Sequence, residues 1–103
     1  MNIEKVFKNE GVYSETAINF LELVQDVMPF EPIEIVYNNG EIDLVWVSRD
    51  GSVWIDIGFD NPGELTFAIE IDGVDNGKDD VPFETIHDIP KEILEAFKDM
   101  EDE

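Results

Sequence analysis

Residues 33–71, IEIVYNNGEIDLVWVSRDGSVWIDIGFDNPGELTFAIEI, decide the fold. Apolar residues alternate through them in four runs: Ile33, Ile35, Tyr37; Ile42, Leu44, Trp46; Val53, Ile55, Ile57, Phe59; and Leu65, Phe67, Ile69, Ile71. A period of two places each run on one side of a pleated strand. Asn39-Gly40, Asp50-Gly51 and Asn61-Pro62-Gly63 punctuate the runs, and Asn-Gly and Asp-Gly accept the positive φ that tight hairpins need. The stretch therefore reads as a four-stranded antiparallel meander.

The turns also predict register. Two-residue loops at Asn39-Gly40 and Asp50-Gly51 pair Tyr37 with Ile42, Ile35 with Leu44 and Ile33 with Trp46, then Trp46 with Ile55 and Leu44 with Ile57. A three-residue loop over 61–63 sets Phe59 beside Leu65 and Ile57 beside Phe67. These choices keep the large apolar residues on one face, and a slip of one residue would scatter them.

Working outward, Ser14 is a predicted N-cap, and Glu15 follows in the first turn, where the helix dipole favours an acid. Ala17, Ile18, Phe20, Leu21, Val24, Val27 and Met28 recur at helical spacing, giving a helix over 14–28 that Pro29 and Pro32 end. Residues 1–13 form an N-terminal arm, left open between a short helix and an extended segment. Downstream, Asp72, Asp75, Asp79 and Asp80 mark an acidic loop over 72–82. A calcium loop starting at Asp72 would put Val74 third and Phe83 twelfth, where carboxylates are required, so a solvated turn is expected instead. Residues 83–86 are open to a short fifth strand, which Pro82 would make irregular. Asp88 is the expected cap of a second helix over 88–100, with Ile89, Ile93, Phe97 and Met100 on its packed side and Pro90 near its start. Three acids then oppose the dipole at 101–103, a frayed end. The expected fold is one α+β domain, the meander with an N-terminal and a C-terminal helix on one face.

The other face carries the functional signal. The same registers put Glu34, Val36, Asp43, Val45, Val47, Trp54, Asp56, Thr66, Ala68 and Glu70 there. A solvated face is polar throughout; this one has an apolar centre, Trp54 included, ringed by carboxylates, as a protein-anchoring surface does. The competing reading folds the arm across it through Ile3, Val6 and Phe7.

The net charge of −20 runs through the whole chain, with −5 in residues 1–40, −9 in 41–80 and −6 in 81–103. Self-repulsion on that scale opposes compaction unless a cation meets it, and makes nucleic acid or anionic membrane an unsuitable direct partner. A magnitude of about 2–8 suffices for the solubility of a small domain. Halophilic adaptation also gives acidic surfaces, but twelve isoleucines and seven asparagines against three alanines do not fit it. The absence of cysteine excludes disulfides and thiolate chemistry. With no membrane-length apolar run and no signal-peptide pattern, a cytoplasmic location is the default expectation.

Catalytic material is sparse. His87, the only histidine, sits between Ile86 and Asp88, where a structural or surface role is expected. No glycine-rich phosphate loop or Ser-His-acid set is present. Asp43 with Asp56 could in principle do acid–base work, but with acids at a quarter of all positions such pairs arise by chance. No enzyme, cofactor or metal is expected.

Pro32-Ile33, the strand Asn39-Gly40-Glu41-Ile42-x-Leu44-x-Trp46, and Ile89-Pro90 before the last helix resemble small acidic proteins of bacteria and their mobile elements. That resemblance, over about residues 15–98, implies a helix, a β-meander and a closing helix, and carries over no functional residue. The reading from the residues is a non-enzymatic acidic protein that blocks a basic, nucleic-acid-binding or nuclease partner, in the manner of immunity proteins, antitoxins or DNA mimics. Asp43, Val45, Trp54, Asp56 and Glu70 are the expected contacts, with the loop acids Asp72, Asp75, Asp79 and Asp80. The alternative is an assembly module docking a subunit or second copy through the same face; monomer and homodimer are both left open.

Overall fold

The computed structural model describes residues 2–10, 14–28 and 30–101. Pro29 and the end acids Asp102 and Glu103 fall outside them, as do positions 11–13 of the arm. Helix α1 spans Ile3–Glu10 and α2 Glu15–Val24; the strands are β1 Glu34–Asn38, β2 Glu41–Val47, β3 Val53–Phe59, β4 Glu64–Ile71 and β5 Val74–Pro82; a 3₁₀ turn, Ile86–Asp88, precedes α3, Lys91–Glu101. The five strands form one antiparallel sheet in sequence order.

Local chemistry accounts for most of this. At the head of α2 the Ser14 hydroxyl accepts the Ala17 N–H at 3.2 Å. Asn39 and Gly40 take φ of 52° and 87° in the first hairpin, and Gly51 and Gly63 both take 76°. Tyr37 pairs with Ile42, Ile35 with Leu44, Trp46 with Ile55, Leu44 with Ile57 and Ile57 with Phe67, the registers the turns predict. The second turn is also wired by side chains: the Asp50 carboxylate accepts from the Ser48 hydroxyl and from Ser52 N–H and O–H, and Ser48 Oγ in turn accepts the Val53 N–H at 2.9 Å.

The fifth strand is where sequence and structure part. Residues 72–82 are not a solvated loop, and the extra strand is not at 83–86. Asp72 and Gly73, with φ of 50° and 83°, make a tight turn, and Val74–Pro82 returns along β4. The residues Asp75, Asn76, Gly77, Asp79 and Asp80 have little intrinsic strand preference. Pairing with the otherwise open edge of β4 overrides it. A register shift opposite Thr66 breaks the ladder, with Asp80 held at φ 55° and its N–H donating to Thr66 Oγ1. Strand order and solvent exposure along its length make β5 an edge strand, and bulge, acids and proline all blunt it against further pairing.

Asp88 is a second correction. Its carboxylate caps backward, accepting the N–H groups of Glu84 and Thr85 at 2.9 and 3.0 Å, while the Pro90 carbonyl accepts the amides of Ile93 and Leu94 in α3. These bonds hold the Asp88 carboxyl below the usual carboxylate range. The arm, left open between a short helix and an extended segment, contains the helix α1. Its Phe7 is 2% exposed within the main core, alongside Phe20, Leu21, Trp46, Ile55, Ile57, Ile93 and Phe97. Residues of all three helices thus meet the sheet's inner face in one cluster. At its centre Trp46 packs edge-on to Phe97, ring centroids 5.3 Å apart, and donates its indole N–H to the Phe30 carbonyl at 3.0 Å. Among the described residues no helix is long and apolar enough to cross a membrane.

Candidate partner-binding face

Strand alternation leaves a second face with no helix in its cluster. Because Phe7 lies in the core on the inner side, α1 does not fold over Trp54. The outer face is built in rows across the sheet: Glu34–Val45–Asp56–Ala68–Gly77, Val36–Asp43–Gly58–Thr66, and Val47–Trp54–Glu70–Asp75. Glu41 and Glu64 extend it along β2 and β4. Among the described residues seven acids therefore share the face (Glu34, Glu41, Asp43, Asp56, Glu64, Glu70, Asp75), and no lysine or arginine stands among them. Such a surface projects a single-sign field.

Its apolar centre is partly self-covered. Val45 is only 7% exposed and does not belong to the core cluster, so its cover comes from neighbours on its own face, Trp54 and Val47 among them. Trp54 and Val47 are half-buried and Val36 is 38% exposed.

Beside this centre the carboxyls crowd. Gly58 makes room for them: a Cβ there would meet Asp43 Oδ1 at 2.5 Å and Glu41 Oε1 at 2.7 Å. Burial, then the Asp43 charge and hydrogen bond, then Glu41 and Glu34, push the Asp56 carboxyl up to about 7. Burial also raises Asp43, and burial with the charges of Asp43 and Asp60 raises Glu41. Asp43 Oδ1 is shut from solvent with no conventional donor, which leaves the proton shared with Asp56 to answer the pair's charge. Among the described residues no three metal-ligating side chains are arranged to hold an ion.

Of the predicted contacts, Asp43, Val45, Trp54, Asp56 and Glu70 come together on this face, and Asp75 joins them opposite Glu70. Asp72 lies in the β4–β5 turn, while Asp79 and Asp80 sit at the bulge beyond Thr66, so these three flank the face rather than build it. Glu41, Glu64 and Gly58 were not among the predicted contacts. Gly58 was the available signal, because a glycine inside a strand marks a close approach. His87 is exposed on the 3₁₀ turn.

Comparison with protein families, curated proteins and solved structures finds no match.

Proposed function

We propose that the chain is a non-enzymatic binding protein for a basic macromolecular partner, a nuclease or DNA-binding protein whose phosphate-binding surface the acidic face occupies. The observation that carries this is the outer face: among the described residues, seven carboxylates, no base and no helix over them. Long-range attraction speeds encounter, and Trp54 with Val36 and Val47 supplies short-range contact. Blocking a site built for nucleic acid is the inhibitory mode of immunity proteins, antitoxins and DNA mimics, and this reading assigns the chain to that mode.

Protonation follows. A cation arriving beside Asp56 favours its charged form, so binding expels the shared proton. Affinity for a basic nuclease should therefore rise between pH 6 and pH 8 and fall steeply from ~0.05 to ~0.5 M salt. Calorimetry in two buffers of different ionisation heat would report the released proton. Salt-independent binding, or tighter binding at pH 6, would contradict the reading. Assembly of two copies through this face would set like charge against like, and sedimentation at low and high salt separates that case.

A further inference from the structure

The sheet has two edges and they are built differently. Strand β5 is exposed along its length except at Val81 and carries three aspartates, Lys78, Gly77, a bulge and Pro82, each a device against strand addition. Strand β1 has no bulge in its register with β2 and no proline within it. Its side chains are apolar where β5 is charged: Ile33, just before it, is 66% exposed, Tyr37 60% and Val36 38%. Asn38 and Glu41 close the two-residue hairpin, so the amides that point away from β2 belong to Ile35 and Tyr37. At the Ile33 end a cavity of about 290 Å³ opens between Phe30, Ile33, Trp46 and Met100, with Glu31 and Arg49 also in its lining, wide enough for one side chain.

We infer that an extended segment of the cationic partner docks on β1 as a sixth strand. This rests on the proposed binding of a basic protein and adds where, and in what form, the partner is gripped. The side chains of an added strand alternate between the two faces. On the inner side they meet Ile33, Ile35 and Tyr37 and must be apolar. On the outer side they meet Glu34 and Val36, with Asp43 and Glu41 one strand further in, and must be basic. Charge complementarity thus selects an alternating apolar/basic strand and disfavours a second copy of this chain, which would bring a net charge of −20 against −20.

The probe is an eight-residue capped peptide of alternating arginine and valine, compared with one of the same composition in two blocks. The alternating peptide should bind at least tenfold tighter, and hydrogen exchange of the intact protein should slow at the Ile35 and Tyr37 amides. Tyr37→Pro, which removes an outward N–H at an edge position that tolerates proline, should abolish that advantage. Equal binding of the two peptides, or unchanged exchange at Ile35 and Tyr37, overturns the inference. So does concentration-dependent dimerisation that protects the same amides. A basic nuclease that binds the wild type, is weakened by Asp43→Asn and is indifferent to Tyr37→Pro removes the docked strand and leaves the acidic face standing. A wild type that ignores basic proteins at low salt removes the acidic-face proposal itself.

Discussion

The two faces of the sheet share every strand and every hydrogen bond, yet they do opposite work. On the inner face Leu44, Trp46, Ile55 and Ile57 are fully buried beneath the helices. On the outer face their immediate neighbours Asp43, Val45, Asp56 and Trp54 form a crowded acidic surface around a small apolar centre. One face supplies the burial that offsets chain entropy. The other spends part of that stability holding like charges together. A surface that costs stability and keeps its carboxyls close together is what the proposed interaction would use.

The sharpest break between the faces comes from the two tryptophans. Trp46→Ala should cost about 3–5 kcal/mol, since it removes a fully buried side chain from the core and with it the bond to the Phe30 carbonyl. Trp54→Ala should cost under about 1 kcal/mol by chemical denaturation and show its effect in partner affinity instead. Equal losses would erase the distinction between core and binding face.

Gly77→Ala comes next. Its new Cβ would lie 2.6 Å from the Phe67 carbonyl oxygen, a backbone atom that cannot swing aside, so β5 should loosen from β4 at a cost of about 1–3 kcal/mol. Gly58→Ala meets only the far ends of the Glu41 and Asp43 side chains. It should be cheaper in stability and should change how Asp56 titrates, because it spreads the carboxyls apart. A carbon-detected NMR titration of the Asp56 carboxyl reads that change.

Asp56→Asn should go the other way. Unfolded, Asp56 gives up its proton near its ordinary value of 3.8; folded, it holds it to about 7. Between those values the folded state binds more protons, so stability falls as pH rises through the window, and the penalty is complete above pH 7. The substitution should stabilise the protein at pH 8 by about 1–2 kcal/mol after allowance for solvent screening, and have little effect near pH 4. Thermal melts at the two pH values check the sign. Destabilisation at pH 8 would mean that Asp56 serves the fold rather than the surface.

Much of the inner face was legible before any coordinates. Asn39-Gly40, Asp50-Gly51 and Asn61-Pro62-Gly63 set the registers, because a turn's φ requirements act within a few residues. Ser14 announced α2 in the same way. The failures came where the deciding contact was distant. Asp72-Gly73 is as good a hairpin signal as Asn39-Gly40, but the chain after it, Val-Asp-Asn-Gly-Lys-Asp-Asp, has no apolar alternation to make it a strand. Asp88 precedes a helix and looks like its cap, yet its carboxylate turns back to Glu84 and Thr85. The arm's apolar residues could have served either face.

Period-two patterning and turn chemistry are local, and they were enough to predict the meander, its pairing and which side chains share a side. They could not say whether the arm would also cover the outer face, because that depends on where Phe7 lodges in three dimensions. Nor could they show that Asp43, Asp56 and Glu41 converge over Gly58, since a carboxyl's proton affinity depends on charges brought close through space. Strand β5 exists for the same reason: β4 had an open edge beside it, and the hydrogen bonds waiting there outweighed the weak preferences of nine residues, all but Val81 exposed.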